Sequence, residues 1–139
     1  MTTQTPLEAA VQRYFVLGTD NCAMTTLRVL GEHFDVPIPP AVLDAAQCMP
    51  GAGGNGGLCG LVAGALMFVG LWGGQHGHPR AALGPVTQTL NTAITQRFGS
   101  TLCRDLRREA GCGTLAVELL AHITPVLERA FAVISTPLS

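Results

Sequence analysis

Apolar residues recur every three or four positions through most of this chain, and that spacing restricts the fold more than any other feature. Residues spaced in this way lie on one face of an α-helix, which has about 3.6 residues per turn. The longest such series comprises Leu115, Leu119, Ile123, Leu127 and Phe131. No segment shows the sustained alternate-residue pattern of a strand. We therefore predict an all-α fold, a single-domain helical bundle of about five to seven helices over residues 1–139.

Glycine and proline residues divide this pattern into segments. The predicted helices span residues 6–17, 20–33, 41–47, 59–72, 80–98 and 101–110, and a long last helix follows Gly111. We expect Asp20 and Ser100 to cap two of these helices and Pro125 to kink the last one. Residues 50–57 read Pro-Gly-Ala-Gly-Gly-Asn-Gly-Gly. Because each glycine costs about 1 kcal/mol relative to alanine in a helix, this stretch predicts a tight loop.

Charge and hydrophobicity exclude some classes of partner. Eight basic residues stand against nine acidic ones, and no basic run is longer than Arg107-Arg108. Nucleic acid is therefore not an expected partner, because the electrostatic footprint that binds phosphates is missing. Since 47% of the residues are hydrophobic and only 12% are charged, we expect a buried core and a surface for self-association into a homodimer.

The sequence predicts a cytoplasmic protein with no membrane span. Residues 1–8 are polar and lack the basic and apolar stretches of a signal peptide. The longest apolar run, Leu58 to Trp72, holds fifteen residues, fewer than the roughly 20 that a bilayer span needs. We interpret it as a buried core helix. In a reducing compartment, the odd number of five cysteines favours metal binding or thiol exchange over a static disulfide framework.

Four of the five cysteines fall within the first turn of a predicted helix: Cys22, Cys59, Cys103 and Cys112. A helix N-terminus carries unpaired N–H groups and a partial positive charge, which lower the pKa of a thiol and favour the reactive thiolate. If these helix starts converge, they form a Cys₄ metal or iron–sulfur centre or a set of exchanging thiols. Alternatively, each cysteine is a small buried hydrophobic residue. No Cys-x-x-Cys pair is present, and Cys48 does not share the pattern.

The segments around these cysteines follow a sequence pattern of their own. Residues 53–60 read Gly-Gly-Asn-Gly-Gly-Leu-Cys-Gly and run into Gly-Ala-Leu-Met at 64–67, while Phe-Gly-Ser at 98–100 precedes Cys103. In this order, with Cys22 before them and Cys112 after them, they resemble a bacterial redox-active family. That family is named C_GCAxxG_C_C for one cysteine, a glycine–cysteine box and two later cysteines. Leu58 departs from the pattern, which has glycine at that position.

The resemblance implies a redox role without a defined reaction. The family is similar to a domain attached to certain multihaem cytochromes, where such cysteines are associated with an iron–sulfur cluster, so that cluster is the first expected cofactor. Its ligands would be the four cysteines at helix starts, with amides of Gly56, Gly57 and Gly60 around the sulfurs. Without metal, Cys59, Cys103 and Cys112 would be redox thiols that exchange electrons with a partner protein. A zinc site or a purely helical interaction domain is the structural alternative.

The histidines and the arginines near Cys103 are better interpreted as structural or surface residues than as site residues. His76-Gly77-His78 offers two imidazoles to a metal, but a surface loop is the preferred interpretation. His33 and His122 are expected at a helix end and in the core rather than as bases that activate cysteine. The arginines at 104, 107 and 108 suit a solvated face or an acidic partner.

Overall fold

The computed structural model describes residues 4–136, and within them every regular element is helical. The elements are α1 (Pro6–Val11), a π-helical turn (Gln12–Val16), α2 (Cys22–Phe34), α3 (Pro40–Ala45), α4 (Gly51–Gly54), α5 (Gly60–Gln75), α6 (Arg80–Phe98), α7 (Cys103–Leu106) and α8 (Gly113–Ser135). The all-α prediction is confirmed. The described residues form eight α-helices rather than five to seven, because α4 and α7 are single turns of four residues each.

The core lies where α2, α5 and α8 meet, and α6 packs against α5 and α8. The predicted stripe along α8 is buried at every position from Leu115 to Phe131. Helices α2 and α5 approach closely at Gly64, where an added Cβ would lie 2.6 Å from the carbonyl oxygen of Ala23 and 2.8 Å from Cβ of Thr26. Only glycine allows this spacing, and it sets how the starts of α2 and α5 lie against each other.

An aromatic cluster closes the end of the core opposite the start of α5. The rings of Trp72 and Phe131 stack 3.8 Å apart at 8°. His76 and His78 also stack on Trp72, with ring centroids 4.7 Å and 5.0 Å away. The His-x-His segment is therefore part of an aromatic stack at the end of α5.

The start of α2 differs from its prediction. We expected Asp20 as the cap, but the cap is Asn21, whose side chain accepts a hydrogen bond from the amide of Met24 at 2.9 Å. Asp20 stands one residue too early to reach that amide and instead pairs with Arg28 at 2.5 Å. At the end of α6, Gly99 adopts a φ of 84° and closes the helix as predicted.

Helix α7 is shorter than the predicted span of 101–110. Leu102 is held in an extended conformation, because it pairs with Leu58 in an antiparallel β-bridge. Ser100 does not cap the helix start directly, since its hydroxyl accepts from the amide of Leu102 at 3.0 Å and donates to Asp105. The last helix continues through Pro125 to Ser135. Within residues 4–136, no helix combines the length and the apolar character that crossing a bilayer requires.

Candidate functional site

The four cysteines predicted at helix starts all lie there. Cys22 and Cys103 are the first residues of α2 and α7, and Cys59 and Cys112 are the N-cap residues of α5 and α8. Cys59 is buried, while Cys22, Cys103 and Cys112 are partly buried. Cys48 follows α3 and is exposed. All five are free thiols.

The β-bridge between Leu58 and Leu102 places two of these thiols together. The amide of Cys59 donates to the carbonyl oxygen of Thr101 at 2.8 Å, and the amide of Cys103 donates to that of Gly57 at 2.6 Å. Side chains alternate along extended backbone, so the residues beside the bridged leucines project to the opposite side from them. Cys59 and Cys103 therefore share one side of this bridge.

The glycine-rich loop before Cys59 contains a left-handed helical turn. Residues 51–54 have φ values of 63°, 54°, 82° and 82°, and the amides of Gly54 and Asn55 donate to the carbonyl oxygens four residues earlier. Such a turn is costly for L-residues, and glycine at three of its four positions relieves that cost. Ala52 is the exception. The turn brings Gly51 against Cys103, whose sulfur would lie 3.7 Å from an added Cβ at Gly51.

Gly60 makes room for the sulfur of Cys22. A Cβ built on Gly60 would overlap Sγ of Cys22, well inside the 3.0 Å limit that real Cβ atoms respect, and would lie 3.0 Å and 3.1 Å from the ring of Pro50. The side-chain amide of Asn21 also donates to the carbonyl oxygen of Gln47 at 2.9 Å, which ties the start of α2 to the segment before the loop. Cys22 is thereby held directly over the backbone that follows Cys59.

The predicted glycines act mainly as structural supports for the cysteines. The amide of Gly57 donates to the carbonyl oxygen of Gly51 at 3.0 Å, and the carbonyl oxygens of Gly56 and Gly57 accept from the amides of Arg104 and Cys103. The backbone hydrogen bonds that favour a Cys59 thiolate come instead from Leu61 and Val62, in the first turn of α5. A helix start, rather than the glycine loop, therefore solvates this sulfur.

Burial determines the protonation of the two inner thiols. It is the largest influence on Cys22, whose pKa is raised to about 12, and the negative charges of Cys59 and Cys112 add to the increase. Burial likewise raises the pKa of Cys59, and the amides of Leu61 and Val62 only partly offset it. The expected lowering of thiol pKa by helix N-termini is therefore wrong for these two residues, because desolvation of the thiolate outweighs the N–H groups.

The same interactions show which sulfurs are neighbours. A charge on Cys59 interacts with Cys22, Cys103 and Cys112, and a charge on Cys22 also interacts with Cys112. The four thiols are therefore electrostatically coupled, and Cys59 is the one coupled to each of the other three. We call Cys22, Cys59, Cys103 and Cys112 the cysteine cluster.

The sulfur donors of the cysteine cluster are of the kind that an iron–sulfur or zinc centre uses. The spacing of the thiols, however, does not match such a centre. Among residues 4–136, no three histidine, cysteine, aspartate or glutamate side chains form a group that could hold a metal ion. The donor types fit such a centre, whereas the arrangement of the thiols does not.

His33 lies near the end of α2 as expected, whereas His122, expected in the core, is only partly buried. His33 pairs with Glu128, with its Nε2 2.5 Å from a carboxylate oxygen, and His122 hydrogen-bonds the carbonyl oxygen of Ala93 at 3.2 Å. Arg104 and Arg107 are exposed beside Cys103. None of these contacts involves a thiol.

A groove opens beside Cys112. It has a volume of about 620 Å³ and lies between the start of α8 and the segment formed by α1 and the π-helical turn. Its apolar walls come from Val11, Phe15, Val16 and Val117. Cys112 therefore lines this groove, and its charge also raises the pKa of Cys22 and Cys59.

The fold and the site define a small all-α protein in which four cysteines, carried on separate helix starts, are electrostatically coupled. A family model described as "Putative redox-active protein (C_GCAxxG_C_C)" matches residues 20–124, a range that contains the whole cysteine cluster. The chain belongs to this family. Neither the curated proteins nor the solved structures include a match.

Proposed function

We propose that this protein carries two electrons at a time by cycling between dithiol and disulfide within the cysteine cluster. The observation that supports this is the bridge that holds Cys59 and Cys103 on one side of paired backbone, together with the electrostatic coupling of Cys59 to each of the other three thiols. Any disulfide formed in the cluster can then pass to or from Cys59 by thiol exchange.

The raised pKa values of Cys22 and Cys59 indicate the step of thiol exchange in which these two residues take part. Because burial keeps Cys22 and Cys59 protonated near neutral pH, they are poor nucleophiles at rest. They suit the second step of exchange, in which a thiol gives up its proton as it displaces a leaving thiolate. Closing one disulfide between two cluster thiols releases two protons and two electrons, and the electrons pass to the partner.

An iron–sulfur cluster is the second candidate, favoured by four thiols that all lie at helix starts. Cys22, Cys59, Cys103 and Cys112 would bind it, and it would supply one-electron transfer. The sulfurs would have to move closer than they stand in the dithiol form.

The full-length protein purified without oxygen separates the two candidates. We expect a colourless protein with little iron or acid-labile sulfide, in which mass spectrometry after mild oxidation finds one disulfide between cluster thiols. A brown protein with stoichiometric iron and sulfide would replace the proposal with the cluster, and tightly bound zinc that stabilises the fold would replace it with a structural metal site.

Two serine variants test the central role of Cys59. Cys59→Ser should abolish or strongly reduce the disulfide recovered from the cluster, while Cys48→Ser, a substitution at the exposed thiol, should leave it unchanged. If Cys59→Ser keeps the parent disulfide and thiol reactivity, Cys59 has no part in exchange.

A further inference from the structure

The groove beside Cys112 suggests how oxidising equivalents reach the buried thiols. We propose that Cys112 is the thiol that reacts first with an outside oxidant, and that its groove selects uncharged, apolar low-molecular-weight disulfides over anionic ones. This rests on the proposed dithiol–disulfide function and adds a substrate class and a first point of attack.

Position is the first argument for Cys112. It is partly buried and lines the groove, and it interacts with both Cys22 and Cys59 deeper in the protein. Cys59 is only 5% exposed, so a disulfide from solvent cannot approach it in line. Cys112 is thus accessible from the groove and is also coupled to the inner thiols of the cluster.

The size and walls of the groove are the second argument. A volume of about 620 Å³ falls in the range of small-molecule pockets. Val16 lies against Gly113, the residue after Cys112, since its Cγ2 would be 3.4 Å from a Cβ added at Gly113. Val16 is 58% exposed although it belongs to a helical turn, so its contact surface is open to a ligand.

Charge is the third argument. Among residues 4–136, the charged side chains that line the groove are the carboxylates of Glu8 and Glu118, and none of the lining residues is cationic. Arg108 pairs with Glu118 at 3.2 Å and offsets part of its charge, while Glu8 is exposed at the opposite wall. Anionic disulfides are therefore repelled, and neutral apolar ones gain contact with the valine and phenylalanine side chains.

The reaction balances without a further oxidant. The thiolate of Cys112 attacks one sulfur of the disulfide RSSR, forming a mixed disulfide and releasing RS⁻, which takes up the proton that Cys112 lost. Cys59 then attacks the sulfur of Cys112, its proton passes to the second RS⁻, and a Cys59–Cys112 disulfide forms. In total, RSSR is reduced to two RSH as two protein thiols are oxidised, and a dithiol reductant returns the protein to its starting state.

Two aromatic disulfide reagents of different charge test the selectivity on the full-length reduced protein. Neutral dithiodipyridine and dianionic dithiobis(nitrobenzoate) are reacted at substoichiometric amounts, and mass spectrometry gives the ratio of labelling at Cys112 to that at exposed Cys48, which serves as the internal reference. We expect this ratio to be roughly two- to fivefold higher with the neutral reagent, as one or two screened carboxylates would produce. Higher salt should reduce the difference.

A pair of neighbouring variants provides the control. Val16→Asp removes an apolar wall and adds a negative charge, so it should lower Cys112 labelling by the neutral reagent several-fold. Leu17→Asp makes the same chemical change at a residue that is 76% exposed and outside the groove lining, and it should have no such effect.

The outcomes separate this inference from the proposed function. Equal labelling ratios for the two reagents, or equal effects of the two variants, overturn the groove assignment even if a cluster disulfide still forms. Selective labelling of Cys112 without any subsequent disulfide between two cluster thiols supports the groove and overturns the dithiol cycle.

Discussion

Replacing Gly60 by alanine tests how tightly the cysteine cluster is packed. The added methyl group would overlap Sγ of Cys22 and press on the ring of Pro50, so the sulfur must leave its place over the start of α5. Overpacking of this kind costs about 1–3 kcal/mol. Alanine gains at most about 1 kcal/mol over glycine in a helix, and less at the first helical position. We expect Gly60→Ala to lower the free energy of unfolding by about 1–2 kcal/mol.

Gly70→Ala is the matched control on the same helix. Nothing lies within 4 Å of a Cβ built on Gly70, so the substitution there should stabilise the protein, by up to about 1 kcal/mol. Urea unfolding followed by circular dichroism measures both variants. The difference between them should be about 1–3 kcal/mol.

A double variant identifies the sulfur as the cause. Cys22→Ala removes the overlapping atom, so combining it with Gly60→Ala should recover part of the lost stability, with Pro50 retaining the rest of the strain. The reasoning would be refuted if Gly60→Ala were as stable as Gly70→Ala, or if the two substitutions at the cluster were simply additive.

Substitutions at three residues of the site region test a thiol pKa, a strained backbone and a helix cap. Cys22→Ala should reduce the loss of stability that the protein suffers as the pH rises. The folded thiol has a pKa of about 12 whereas an unfolded one ionises near 8.5, so the free energy of unfolding falls between these pH values, by at most about 1.4 kcal/mol per pH unit. Urea midpoints at increasing pH measure this slope. Ala52→Gly should stabilise the protein by about 1 kcal/mol in the same assay, because it removes the left-handed non-glycine residue; no gain would contradict the strain. Asn21→Ala should lower the free energy of unfolding by about 1–2 kcal/mol. Asn21→Asp keeps the cap on Met24 and loses only the hydrogen bond to Gln47, so it should cost less. Equal losses for the two variants would argue against the cap.

The helices could be predicted because residues close together in the sequence determine where a helix forms and where it ends. Apolar spacing identified the buried stripe of α8, and Gly99 ended α6 with the positive φ expected of it. The cap at Asn21 was also within reach, because asparagine is a preferred N-cap residue and the structure only shifts the helix start by one position from Asp20.

The site depends on contacts that the sequence does not reveal. Pairing of Leu58 with Leu102 joins segments more than forty residues apart, and it shortens α7 and orients two thiols at once. The protonation of Cys22 and Cys59 was predicted wrongly for the same reason, since a helix start can be inferred from local residues but the depth of its burial cannot. The iron–sulfur cluster, the cytoplasmic location and the homodimer stay predictions.

The bridge also has a dynamic consequence. Its two hydrogen bonds protect the amides of Cys59 and Cys103, and each bond depends on the other segment staying in register. We therefore expect one local opening of the bridge to release both amides to hydrogen exchange at the same rate, because neither bond can break by a change of register without breaking the other.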